Sequence, residues 1–153
     1  MALPPAQPVK ITAKRIGLSA FVEAVGIAED GSIAIPADAA HAGWYTGSVT
    51  PGERGNAILA GHLDSTSGPA AFYGLGALRE GDRIAVQRRD GRDAVFTVTA
   101  MSVYAKDAFP SQAVYGPTPE PQLTLITCAD WDEDSRTYRA NLVITAHPPP
   151  APG

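Results

Sequence analysis

Apolar and polar positions alternate with a period of two along most of the chain, in short runs broken by turns rich in glycine and proline. That period marks strands with one buried face. The runs are KITAKRI (10–16), FVEAVGI (21–27), SIAIP (32–36), NAILAGH (56–62), RIAVQRR (83–89), AVFTVTAMSVY (94–104), QLTLITC (122–128) and YRANLVITA (138–146). Turn signals EDG at 29–31, PGERG at 51–55, REGD at 79–82 and RDG at 89–91 separate them. No window carries the 3.6-residue period of a long amphipathic helix, although PADAAHAG (36–43) and GPAAFYGLGAL (68–78) are each predicted to make a short helix of one or two turns. Eight short strands with a few short helices predict an all-β domain built as a closed or nearly closed β-barrel.

The length of 153 residues, 44% of them hydrophobic, suits one sizeable core and therefore one domain. Both ends, ALPPAQP and HPPPAP, favour extended polyproline conformation over packing. The predicted organisation is an N-terminal stalk remnant at 1–8, a barrel at 9–147 and a tail at 148–153. A net charge of −4 provides no basic footprint for nucleic acid or anionic lipid. No apolar run reaches membrane-spanning length, and MALPPAQP lacks the order of a signal peptide.

Chemistry concentrates around the one cysteine, Cys128, at the end of LTLITC, which excludes an internal disulfide. Alternation puts Thr124, Ile126 and Cys128 on one strand face. In the following run Arg139 shares a face with Asn141, Val143 and Thr145, opposite the core side of Tyr138, Ala140, Leu142 and Ile144. Antiparallel pairing across the polar loop ADWDEDSRT would bring Cys128 and Arg139 together, and His62 closes a third strand, AILAGH.

A thiol is a weak nucleophile near neutral pH until a neighbouring imidazolium or guanidinium favours the thiolate. An imidazole can take and return the proton, and a guanidinium, always charged, can hold an oxyanion. The trio points to thiol acyl transfer. Arg136 competes with Arg139 for the cationic role, but among the acids of DEDSRT its expected fate is a solvated ion pair. Asp64, two positions after His62, either orients the imidazole or caps a turn. A zinc site of His41, His62 and Asp64 has no spacing that demands a metal, so no metal and no cofactor are expected. His41 and His147 read as bystanders.

These residues also carry a family resemblance. LTLITC resembles the sortase signature Thr-Leu-any-Thr-Cys, as Thr124, Leu125, Ile126, Thr127 and Cys128; AGHLDS resembles the Gly-His-any-Asp-Ser stretch of class F sortases of actinobacteria and relatives; and YRANLVITA resembles the strand that carries the sortase arginine. The resemblance extends to PVKITAKRIGLSAFVEAVGI, GWYTGSVTPGERGNAILAGH, GPAAFYGLGALREGDRIAV and DAFPSQAVYG.

It implies an eight-stranded sortase barrel with His62, Cys128 and Arg139 as catalytic residues; Thr127 is a candidate substrate contact, and Asp64 stays a candidate either for orienting His62 or for capping a turn. It further implies cleavage of a Leu-Pro-any-Thr-Gly sorting signal between Thr and Gly, with transfer to an amine of a cell-wall precursor or other acceptor. The family's usual setting implies a monomer at the extracytoplasmic surface, tethered by an N-terminal membrane segment absent from this sequence. A hydrolytic thiol peptidase on the same barrel and a non-catalytic peptide-binding barrel remain as alternatives.

Overall fold

The computed structural model describes residues 2–29, 33–65, 68–132, 134 and 137–149, with the backbone alone at 64–65, 68–69, 128–132 and 137–138. Among the described residues ten strands form: β1 (Pro8–Ala13), β2 (Leu18–Val25), β3 (Ala42–Tyr45), β4 (Gly55–Gly61), β5 (Asp64–Ser65), β6 (Gly68–Pro69), β7 (Arg83–Arg88), β8 (Asp93–Ala105), β9 (Pro121–Asp132) and β10 (Thr137–His147). One short helix, α1 (Ser111–Tyr115), precedes β9, and single 3-10 turns occupy Lys14–Ile16, Leu75–Ala77 and Lys106–Ala108.

Eight of the strands close a barrel in the order β1-β2-β3-β4-β9-β10-β8-β7, with β7 returning to β1, while β5 and β6 pair only with each other. Closure removes the unpaired edges that a flat sheet of this size would expose. Most neighbours are antiparallel; β2–β3 and β4–β9 run parallel. The β7–β8 connection turns at Gly91, whose φ of 82° lies in the left-handed region open to glycine.

The barrel interior holds Ile11, Leu59, Phe72, Leu75, Leu78, Ile84, Val86, Phe96, Leu123, Leu125 and Ile144, each essentially without exposure. Full burial of such side chains stabilises by about 1.5–3 kcal/mol each relative to exposure. A second, smaller cluster lies outside the barrel wall, formed by Ile58, Ala60, Ile126 and Val143 under Ile33 and Val114, with Tyr45, Tyr104, Phe109 and Tyr115 packed around it. β4 is therefore buried on both faces along its whole length, which explains why GNAILAG reads as a near-continuous apolar run rather than an alternating one.

Four expectations need correction. The described part of SIAIP, residues 33–36, is not a barrel strand: among the described residues Ile33 makes an isolated bridge to Ile27, and the third barrel strand is the four-residue AGWY of β3. PADAAHAG forms turns and then enters that strand, because residues 42–45 pair with β2 on one side and residues 42–44 with β4 on the other. GPAAFYGLGAL supplies β6, a turn and one 3-10 turn. Cys128 does not end its strand: β9 continues to Asp132, because Trp131 and Tyr138, residue types that favour the pleated sheet, sit opposite each other in the hairpin.

The N-terminal segment lies along the barrel. Leu3 N–H donates to Gly52 O (2.9 Å), Ala6 N–H to Thr50 Oγ1 (3.1 Å) and Arg89 N–H to Gln7 O (2.9 Å). The buried Arg88 guanidinium binds the Pro4 carbonyl, the Pro51 carbonyl (2.7 Å) and the Asp90 carboxylate (2.7 Å). Those partners offset the cost of removing a charge from water.

Candidate functional site at the end of β4, β9 and β10

The parallel register of β4 and β9 decides where His62 lies. Ile58 faces Thr124, Leu59 faces Leu125 and Ala60 faces Ile126. One step further, Thr127 Oγ1 donates to Gly61 O at 2.8 Å. The next step in the same register brings His62, the residue after β4, level with Cys128. Parallel neighbours in register share a face and lie about 4.8 Å apart between strands.

Ala60 and Ile126 belong to the outer cluster, whereas Leu59 and Leu125 belong to the barrel core. Positions 62 and 128, two residues on from Ala60 and Ile126, therefore fall at the outer-face register of strand alternation. On the other side of β9, Cys128 pairs with Asn141. Arg139 is one same-face step along β10 from Asn141, a diagonal neighbour of Cys128, and such neighbours typically lie about 7–8 Å apart. The three residues thus occupy one face at one end of the barrel, continuous with an apolar floor of Ile58, Ala60, Ile126 and Val143. Arg139 is exposed there.

Two backbone clamps hold His62. Its carbonyl accepts from Phe72 N–H at 2.9 Å. Gly61, just before it, packs so closely on the Phe72 ring that an added Cβ would stand 2.9 Å from Phe72 Cδ2. The imidazole is half-buried, and its Nε2 lies 2.9 Å from the Pro36 carbonyl.

Pro36 belongs to a strap, residues 33–41, that passes over this end of the sheet. The strap is tied by Ala34 N–H to Gly26 O (2.8 Å), by Ala71 N–H to Ala39 O (2.9 Å) and by the Ile27–Ile33 bridge. His41, at the strap's far end, sits between Glu23 (2.8 Å from Nδ1) and Asp38 (3.4 Å from Nε2). Its hydrogen bond to Glu23, helped by the nearby Asp38 charge, pushes its pKa above the ordinary histidine range.

Over the same outer cluster lies α1, which Asn56 holds. Asn56 Nδ2 donates to Val114 O (2.7 Å) and Gly116 O (3.2 Å), while its Oδ1 accepts from Thr124 Oγ1 at 2.6 Å. Gln122 and His147 extend the network away from the site. Tyr115, the last residue of α1, has its phenol pKa pushed up by burial.

Thr127 is 2% exposed and faces the barrel side, and its hydroxyl donates to Gly61 O, which ties β9 to β4. The side chain of Asp64 and the whole of Arg136 lie outside the described residues. Among the described residues no group of three or more histidine, cysteine or carboxylate side chains is arranged to hold a metal ion. Pro36 and Asn56 were not singled out from sequence. Pro36 acts through a backbone carbonyl, which no side-chain pattern announces, whereas Asn56 had a signal: it is the one polar residue at the head of an apolar run.

A family model described as the sortase domain matches residues 11–149, nearly the whole chain. The protein belongs to the sortase family. Sortases are cysteine transpeptidases that act on sorting-signal substrates and amine acceptors at the cell surface or otherwise outside the cytoplasm. No curated protein matches the chain.

Solved sortases share its fold. Sortase A of Corynebacterium diphtheriae, as a lid mutant, superposes with a TM-score of 0.72 at 20% identity, covering 98% of this chain and 74% of that one. Sortase C1 of Streptococcus agalactiae gives 0.71 at 19% identity, covering 94% and 68% respectively. A Clostridium perfringens sortase D5 transpeptidase gives 0.69 at 18% identity, covering 94% and 79%. Among the described residues no helix is long and apolar enough to cross a membrane.

Proposed function

We propose that this sortase cleaves a Leu-Pro-any-Thr-Gly type signal between Thr and Gly and passes the acyl group to an amine, with Cys128 as nucleophile, His62 as acid and base, and Arg139 as oxyanion and peptide support. The observation that carries this reading is the strand register. It sets His62 and Cys128 level on adjacent strands and Arg139 one diagonal step away, at the end of an apolar floor suited to an extended peptide.

The Cys128 thiolate attacks the Thr carbonyl carbon, and the resulting oxyanion is held by the Arg139 fork. The C–N bond then breaks, the departing glycine amine takes a proton from the His62 imidazolium, and the acyl group remains as a Cys128 thioester. An incoming amine, giving its proton to His62, attacks that carbonyl; the thiolate leaves and an amide forms. Atoms and charges balance without a cofactor or metal.

Assignment to class F rests on the Gly61-His62-Leu63-Asp64-Ser65 stretch, in which Asp64 would orient His62. The acceptor is an amine of a cell-wall precursor, and the substrates are secreted proteins. In this reading the enzyme works as a monomer at the outer face of the plasma membrane.

The test is product analysis with a Leu-Pro-any-Thr-Gly peptide, with and without a glycine-type amine or hydroxylamine. Slow release of the free acid alone, diverted to amide or hydroxamate when amine is added, supports transpeptidation. Fast cleavage that gives only acid at millimolar amine identifies a thiol hydrolase on a sortase barrel instead. Peptide affinity that survives Cys128→Ala, with no turnover by the wild type, identifies a binding module.

A further inference from the structure

We propose that the Pro36 backbone carbonyl fixes the tautomer of His62, so that Nε2 keeps its hydrogen in both charge states and Nδ1 is the nitrogen that carries and releases the catalytic proton. This rests on the reading of His62 as the acid–base group and adds to it a choice between two chemically distinct nitrogens. A neutral imidazole has one N–H and one lone pair, and the partner of one nitrogen decides the state of the other. A carbonyl oxygen only accepts. With Nε2 2.9 Å from Pro36 O, the hydrogen belongs on Nε2, which leaves Nδ1 to gain and lose the second proton.

Both ends of this hydrogen bond are built in. The His62 backbone is clamped through its own carbonyl by Phe72 and through Gly61 by Thr127. Pro36 is buried, has a ring-locked φ, and lies in a strap tied by the Ala34–Gly26 and Ala39–Ala71 hydrogen bonds. Its seat is Gly43 of β3. A Cβ at that position would stand 2.9 Å from Val25 Cγ1, closer than carbon contacts come, and 3.0 Å from Pro36 Cδ, so that Pro36 would have to give way.

Gly43 pairs with Glu23 on one side and Ala60 on the other, so the strand cannot slide to make room. The missing side chain at position 43 therefore lets Pro36 approach near enough to hold the imidazole. Pro36 and Gly43 are positioning residues, acting on the reaction only through His62. The wrong tautomer would leave the ring in place but put the lone pair on the nitrogen that faces Pro36, where two acceptors would meet and no proton could be passed.

Long-range 1H–15N correlation NMR of the full chain with 15N-labelled histidine reads the tautomer directly, with the three histidines assigned through their backbones. At a pH where His62 is neutral, its Nε2 should show the shift of a protonated ring nitrogen and its Nδ1 that of an unprotonated one. A neutral His62 with its hydrogen on Nδ1, or an even mixture of the two forms, overturns the proposal. This reading needs no variant to fold.

In Gly43→Ala the same spectrum should move toward a mixture, and Cys128 acylation should slow about tenfold with peptide KM unchanged. A Gly43→Ala protein that keeps both the tautomer and the rate refutes the seat. Activity of His62→Ala separates the two levels of inference. If that variant stays within about tenfold of wild type, against the 10²–10⁴ expected of an acid–base group, the acid–base reading falls and the proposal with it. If it is inactive while the hydrogen sits on Nδ1, only the tautomer assignment falls.

Discussion

At the scale of single residues, the proposed site depends on two parallel strands presenting consecutive positions in step. Thr127 and Gly61 lock the step, and Cys128 and His62 inherit it. Cys128→Ala should abolish turnover and leave the barrel folded, as read by circular dichroism beside a peptide-cleavage assay. Arg139→Lys keeps the charge but loses the planar fork, so the acylation rate should fall by roughly tenfold or more with the fold intact. A silent Arg139→Lys paired with a damaging Arg136→Lys would move the cationic role to Arg136. Gly61→Ala tests the clamp: with Phe72 fully buried and 2.9 Å from the new Cβ, overpacking should cost about 1–3 kcal/mol in urea unfolding.

At the scale of elements, the strands were legible wherever alternation was long enough to outvote turns. Seven of the eight predicted runs coincide with barrel strands within a few residues. The exception is instructive: SIAIP alternates well, yet its described part makes an isolated bridge, whereas AGWY shows no alternation and is a strand because two neighbours flank it. Propensity is local, but strand identity depends on the neighbour. The same logic hid the last turns of the β9–β10 hairpin, whose acidic residues read as loop. His62, Cys128 and Arg139 were visible as residue types at strand ends, while their levels became definite only through the β4–β9 and β9–β10 registers. Pro36 could not be seen at all, since its contribution is a carbonyl.

The placement of α1 depends on one buried amide. Asn56→Ala leaves the Val114 and Gly116 carbonyls without that donor, which should cost about 1–3 kcal/mol and speed amide hydrogen exchange across residues 111–116 ahead of the barrel strands. Exchange in α1 that matches wild type would show that other contacts suffice.

At the scale of the whole molecule, a closed barrel carries the proposed site on its outer face, and Arg88 ties β7 to the N-terminal segment and to the loop before β4. The Arg88 hydrogen bond pulls the Asp90 pKa down to about 2. A carboxylate depressed in the folded state adds stability above its unfolded pKa, near 3.9, and that contribution disappears as pH falls through the folded value. Thermal unfolding of wild type and Asp90→Asn should therefore differ most above about pH 5 and converge toward pH 2. A gap that stays constant across that range would detach Asp90 from acid stability.

The central claim is that the Cys128 sulfur holds the acyl group. Intact-mass spectrometry after rapid acid quench with a Leu-Pro-any-Thr-Gly peptide, followed by proteolytic mapping, measures it directly. The mass should rise by the acyl fragment ending at Thr, the adduct should map to Cys128 and vanish with hydroxylamine, and Cys128→Ala should show none. Turnover without any adduct on wild type, or an adduct that persists in Cys128→Ala, would contradict the account.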